Sequence, residues 1–552
     1  MRKQTKIAAV VSAAALLALG ASITSFAAAK GTWMMVDGEW YCYDKNGDVY
    51  ENTFCSSNGK EYYVGDDGML VRSSWVEYDG DYYFVNSSGA KIVNDWRLTT
   101  PYEDEDADEE WFYFQSTGKR ADNKKILYKG STFFFDADGK MLTGWVTADG
   151  DQVVNEENDI DTSYTFYCDE TGARVESSWV YTTEPATADD DADADEYWYY
   201  LKSSGKVATG KQANVKGQAF IFGDKANENL GQMLTGWVAK FDNRTANTDD
   251  DYYIEIDGET ESYAVNDENI ADVYYCLYDE DKADGHVQKN KWIKTWRPED
   301  AYDEDEDEDK FWYWVEKDGK VFIPGSADAQ VYKYSLGDGA LDGGKTQFGI
   351  AKKKINSKDY FFNMSGEMVN NFIDVVHTND ADVIAEGMHY FGGSDDGSMK
   401  TGSQTVKDDN GDSFKFYFGT KNSATENKGV GITGNKNNKL YYMGHLVAAQ
   451  DYKYQTVDFD VNGNGMESTF IVNQNGSIQH SAVEYKEDGD VLIDAKTLKA
   501  EYNTTTGADK YSVKDTNKLI VNVEEIDETS VMAITGVYDP TTPENASPSN
   551  VQ

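Results

Sequence analysis

Aromatic side chains recur in this chain on a fixed spacing, and they are the groups best suited to chemistry. Trp33, Phe54, Trp75 and Trp96 lie 21 residues apart, as do Tyr41, Tyr62 and Tyr83. The face of a Trp or Tyr ring attracts a cation, worth about 0.5 to 1 kcal/mol per exposed ring and about 2 when desolvated, so three rings make a usable site for a quaternary ammonium. The same rings, flanked by Asn, Asp and Tyr hydroxyls, suit the C–H face of a sugar equally well.

Acidic runs are the second group that could act. Glu103–Asp106 with Asp108–Glu110, Asp189–Asp191 with Asp193, Asp195 and Glu196, and Glu299, Asp300 and Asp303–Asp309 are dense enough to attract cations or a basic protein. They lack the Gly-punctuated spacing of a dedicated calcium loop. The nearest approach to one, Asp458, Asp460, Asn462 and Asn464, has Thr469 where a closing Glu would stand. Catalytic groups are harder to find. His286, His377, His389, His445 and His480 are dispersed, with no HExxH and no nucleophile motif. With 99 Asp and Glu, close carboxylate pairs are inevitable and carry no information about glycoside hydrolysis. The expectation is a protein that is not an enzyme and holds no cofactor or metal.

The elements that must position these rings follow from the spacing. Gly38, Gly59 and Gly80 keep the 21-residue register, and so do Gly47, Gly68 and Gly89. Each unit reads as a β-hairpin: a Trp or Phe opens a strand, a Gly turn follows, then an aromatic run (WYCY, EYYV, DYYF), then a second Gly turn. Side chains alternate across a strand, so Tyr41 and Tyr43 share one face and Trp40 and Cys42 the other. Both faces are apolar, and a lone hairpin is at best marginal in water. The units must stack, and the expected fold is an all-β solenoid of stacked hairpins with a small β-rich cap at its C-terminal end.

The stretches WYYLKSSGKVATG (Trp198 to Gly210), GKMLTGWV (Gly139 to Val146) and GQMLTGWV (Gly231 to Val238) resemble the cell-wall-binding repeat family, which includes choline-binding modules and is related to glucan-binding repeats. The resemblance runs from about residue 31 to about 480. It implies a ligand site between consecutive hairpins, built from the Trp that opens one hairpin and aromatics of second strands. The matching positions are Trp33, Trp40 and Tyr41; Trp75, Tyr82 and Tyr83; Trp145, Trp179, Trp198 and Tyr199; and Trp237. Phe54, Lys125 and Phe372 stand where the family has Trp. The resemblance also implies roughly three hairpins per superhelical turn. Since the enlarged acidic turns fall in hairpins 4, 7 and 10, that geometry would line them along one edge.

Composition sets the remaining bounds. Net charge is -48 over 552 residues, with 39% hydrophobic and 14% aromatic residues. Such a polyanion excludes nucleic acid and anionic membrane surfaces as partners. Residues 1–28, with Arg2, Lys3 and Lys6 before an apolar run, read as a secretory signal peptide, and no later run is long enough to span a bilayer. No LPxTG motif lies near the C-terminus, so an exported chain would either diffuse away or hold on through its own domains. The expected organisation is the repeat array at 29–484, a β-rich segment at 485–538 and a disordered tail at 539–552. Among Cys42, Cys55, Cys168 and Cys276, only the first two lie in neighbouring hairpins and form a pair to test for a disulfide. The functional expectation is a secreted, noncatalytic protein of the bacterial cell surface that binds cell-wall polysaccharide or teichoic acid, through choline or a neutral glycan. The alternative is a surface adhesin or scaffold whose repeats are structural throughout.

Overall fold

The computed structural model describes residues 28–522, apart from 105, 148, 151–164, 185–193, 225–228, 242–251, 257–269, 278–283, 299–309, 326–330, 335–349, 379, 408–410, 425, 451, 460–467, 480, 482, 497–498, 504–507 and 513–519. The expected signal peptide and C-terminal tail lie outside the described residues, as do the tips of the second and third acidic turns and most of the Asp458 loop. The described residues are all-β, with no helix among them. Two compact units make up the chain, residues 1–208 and 209–552.

Among the described residues, the first unit holds seven hairpins. Hairpins 1 to 3 pair Thr32–Val36 with Glu39–Tyr43, Thr53–Ser57 with Lys60–Val64, and Ser74–Tyr78 with Asp81–Val85. Hairpins 4 and 5 pair Asp95–Thr99 with Glu110–Phe114 and Lys124–Tyr128 with Ser131–Phe135. Hairpins 6 and 7 pair Gly144–Val146 with Phe166–Cys168 and Ser178–Thr183 with Glu196–Leu201. Local chemistry explains the tight turns. Asn58 and Gly59 have φ of 51° and 76°, and Asp79 and Gly80 have 55° and 77°. Two successive positive φ values define the hairpin turn whose twist suits flanking strands, and Asn, Asp and Gly adopt it at least cost.

Hairpins join through a repeated rung. The N–H of the residue two after each second-turn glycine donates to a carbonyl of the preceding hairpin: Leu70 to Trp40 at 2.9 Å, Lys91 to Glu61 at 2.8 Å, Arg120 to Tyr82 at 2.7 Å, Met141 to Trp111 at 2.9 Å and Arg174 to Thr132 at 2.8 Å. The side chains of these residues lie along the turn glycine of the next hairpin, Leu70 on Gly89, Lys91 on Gly118, Arg120 on Gly139, Met141 on Gly172 and Arg174 on Gly205, where an added Cβ would overlap them. Successive hairpins therefore stack in one register. The core is a series of small clusters, such as Phe54, Val76, Tyr83 and Val85, followed by Phe84, Phe112 and Phe114.

The second unit repeats the rung. Val287 donates to Ala219, Val321 to Val273 and Met368 to Trp312, each at 2.8 Å, and Ile478 to Asn438 at 2.9 Å. Hairpin 8 pairs Gly210–Val215 with Gln218–Phe222, hairpin 9 pairs Gly236–Phe241 with Ile270–Cys276, and hairpin 10 pairs Lys291–Thr295 with Phe311–Val315. Beyond them, hairpins merge into five-stranded sheets. Strands Lys499–Asn503, Ala508–Ser512 and Ile520–Asn522 share one such sheet with Tyr454–Phe459 and Ser468–Asn473. The C-terminal strands thus continue the sheet of the last repeats.

All four cysteines are free and buried. The thiols of Cys42 and Cys55 share a hydrogen bond, and burial pushes both up from the ordinary thiol range. Only the thiolate attacks an alkylating agent, so the reduced, folded chain should react at pH 8 at least about tenfold more slowly at these positions than the denatured chain. Mass spectrometry after timed iodoacetamide treatment checks this; equal rates in both states would contradict the burial.

Candidate aromatic binding sites

Hairpins 2, 3 and 4 line an open groove of about 1010 Å³. Tyr78 and Trp96 supply partly exposed ring surface to it, over the buried rings of Phe54 and Tyr83, and Lys60, Asp79, Asn86, Asp95, Ser116 and Thr117 supply polar groups. Phe54 is the hub of the rings. Tyr63, Tyr78 and Tyr83 meet it edge-on at 5.1, 5.4 and 5.1 Å. Lys91 reaches over this cluster, with Nζ 4.8 Å from the Phe54 centroid and 5.2 Å from that of Tyr83, and pairs with Glu61. Burial also pushes the Tyr83 phenol up to about 12.

A second ring box lies one hairpin further on. Trp75 packs edge-on against Phe84 at 5.5 Å and Phe112 at 5.0 Å, and Tyr82 lies 4.8 Å from Tyr102. The Arg120 guanidinium sits inside this box, 4.4 Å from the Tyr82 centroid, 5.6 Å from Trp75 and 6.0 Å from Phe112. Its Nη1 donates to Glu103 at 3.0 Å and its Nε to Asp122 at 2.6 Å. Burial raises the Asp122 carboxyl, and Arg120 opposes that rise. Glu103 belongs to the first acidic turn, so this turn folds onto the box.

The predicted ring positions divide by burial. Trp33, Trp40, Tyr41, Trp75, Tyr82, Trp179 and Trp198 are partly buried and keep some surface in solvent. Tyr83 is 7% exposed, Trp145 6%, Trp237 1% and Tyr199 0%, so these four lie in the packing between or within hairpins. Trp33 meets Tyr62 at 5.7 Å, Trp145 meets Tyr199 at 4.8 Å, and Trp179 meets Trp198 at 6.4 Å and 89°. Trp75 and Tyr82 come together around Arg120; Tyr83, on the opposite face of its strand, goes to the Phe54 cluster instead.

A three-hairpin period governs the opening tryptophans. Trp75 Nε1 donates to the Thr100 carbonyl at 2.9 Å, Trp145 to Thr183 at 3.0 Å and Trp237 to Trp296 at 3.0 Å. Each acceptor lies at the base of an enlarged acidic turn, so hairpins 3, 6 and 9 each tie down the turn that follows. Sequence reasoning missed Tyr78, Trp96, Tyr102, Lys91 and Arg120 as site residues. Trp96 was within reach, since it ends the 21-residue ring column. Lys91 and Arg120 also carried a signal: they stand two residues after Gly89 and Gly118, where other repeats carry Val49, Leu70, Met141, Val207 or Met233.

Repeated Gly and aromatic columns, all-β hairpins and regular rungs coincide over both units. The chain resembles the cell-wall-binding, choline-binding repeat family. No known family profile matches it. It is 29% identical over 238 residues to Glucosyltransferase-I of Streptococcus downei, covering 41% of this chain and 13% of that one. It is 24% identical over 119 residues to a putative endo-beta-N-acetylglucosaminidase of Streptococcus pneumoniae, covering 22% and 13%. The chain thus spans about an eighth of the length of the curated relatives it matches. Among solved structures, choline binding protein F of Streptococcus pneumoniae aligns over 67% of this chain and 99% of that one, at 15% identity and a TM-score of 0.30. No group of three or more His, Cys, Asp or Glu that could hold a metal occurs among the described residues of this repeat protein, and no helix there is long and apolar enough to cross a membrane.

Proposed function

We propose that this chain is a secreted, noncatalytic protein of the bacterial cell surface that binds cell-wall polymer, either a polysaccharide or a substituted teichoic acid. The observation that carries the reading is the groove of about 1010 Å³ between hairpins 2 to 4, where the partly exposed rings of Tyr78 and Trp96 stand beside amide, hydroxyl and charged groups. Such a lining suits a polymer with alternating C–H faces and hydroxyls. The similarity to a glucosyltransferase and a putative glucosaminidase, proteins whose names place them on glycans, supports it. The full chain is expected to sediment with purified Gram-positive cell walls. Release by soluble glucan or by choline, tested separately, names the ligand class, and absence from the wall pellet would overturn the reading.

A scaffold reading is favoured by a different observation. Trp145, Tyr199 and Trp237 are too buried to meet any ligand, so their hairpins serve as structure. On that reading a basic protein would meet the acidic turns, and the wall pellet would be free of the chain.

A further inference from the structure

Two aromatic boxes in the first unit already contain a cation. The Arg120 guanidinium lies within 6.0 Å of the centroids of Trp75, Tyr82 and Phe112, with its side chain 2% exposed and two carboxylates, Glu103 and Asp122, on its donors. The Lys91 ammonium lies over Phe54 and Tyr83, 10% exposed and paired with Glu61. Both come from the rung position, which a neighbouring hairpin fills with Met141. A cage of ring faces closed by carboxylates is the environment that an external ammonium would need, and here the chain supplies the charge itself.

We infer that Arg120 and Lys91 are specificity residues: as built-in occupants of these boxes they shut out quaternary ammonium ligands and leave the adjoining groove to an uncharged glycan. This inference rests on the wall-polymer reading above and sharpens it. A second cation entering either box would meet like charge at van der Waals range and would have to break an ion pair to gain the rings. An uncharged sugar has no such conflict. It can lie along the groove against Trp96 and Tyr78, with Lys91 and Glu61 held in place at its wall.

The test removes the occupant. In the full chain, Arg120→Ala leaves the Trp75, Tyr82 and Phe112 faces and two carboxylates around an empty space. Choline or methylguanidinium, titrated by tryptophan fluorescence and by thermal melting, should bind this variant at least about tenfold more tightly than wild type and raise its melting temperature. Arg120→Lys keeps the charge and should show no gain. Lys91→Ala repeats the test at the second box should Arg120→Ala fail to fold. Wall-bound wild type should be released by soluble glucan and not by choline. Choline binding by wild type that Arg120→Ala and Lys91→Ala leave unchanged or weaken, or release from walls by choline, would overturn the inference. Failure of wild type to bind walls at all would instead remove the wall-polymer reading, while a choline gain in the variants would still establish the self-filled boxes.

Discussion

Trp237→Ala is expected to destabilise the second unit by about 3 to 5 kcal/mol, the cost of deleting a large ring from a closed core. Trp237 is 1% exposed and packs edge-on against Tyr275 at 5.2 Å and Tyr313 at 4.8 Å. It stands in a cluster with Ile293, Val315 and Val321, residues of the hairpin that follows. Its Nε1 also donates to the Trp296 carbonyl at 3.0 Å, so alanine would remove both the filling of the cluster and the tie to the acidic turn. Trp237→Phe retains much of the ring area and loses the donor, and should cost about 1 to 2 kcal/mol. Urea denaturation of both variants separates the contributions. Equal losses would mean that the ring contributes little beyond its hydrogen bond.

Gly223→Ala is expected to cost about 3 kcal/mol or more, by overpacking backbone against backbone. The N–H of Gly223 donates to Gln232 at 2.8 Å, and its carbonyl accepts from Gly231 at 2.9 Å, which draws residue 229 onto its Cα. An added Cβ would overlap the Asn229 carbonyl, and backbone held from both sides cannot move aside. Gly419 repeats the arrangement, accepting from Gly429 at 2.8 Å with the Asn427 carbonyl against its Cα. Gly217 provides the contrast. Its added Cβ meets open space, and its positive φ of 96° alone should limit the cost of Gly217→Ala to about 1 to 2 kcal/mol. Thermal melts that rank the two alanines equally would contradict the steric argument.

The hairpins were legible because their signal is local. Asn58 with Gly59 and Asp79 with Gly80 specify tight turns, and aromatic runs between such turns can be little else than strands. The acidic insertions in hairpins 4, 7 and 10 were legible as enlargements of one turn, since aromatics flank each of them. Burial of individual rings was not legible. Tyr82 and Tyr83 are neighbours of the same type, yet alternation sends the first toward Arg120 and the second into the Phe54 cluster. Tyr199, in the register of Tyr83, is wholly enclosed because Trp145 covers it, a ring 54 positions earlier in the chain. The division after Ala208 left no compositional mark either, since the repeat motif continues across it without a linker. Charged occupants of the boxes were hidden by distance along the chain: Arg120 is 45 residues from Trp75, and only the rung brings them together.

The rungs also decide how such a chain would respond to being pulled. Each one links a hairpin to its immediate neighbour and to nothing further away, so tension on a wall-attached chain would be relieved by shedding single hairpins from an end. A compact 21-residue hairpin, once shed, adds roughly 70 Å of extended polypeptide at 3.3 to 3.6 Å per residue. Compact hairpins would therefore pay out length in near-equal steps, and the enlarged hairpins 4, 7 and 10 in longer ones.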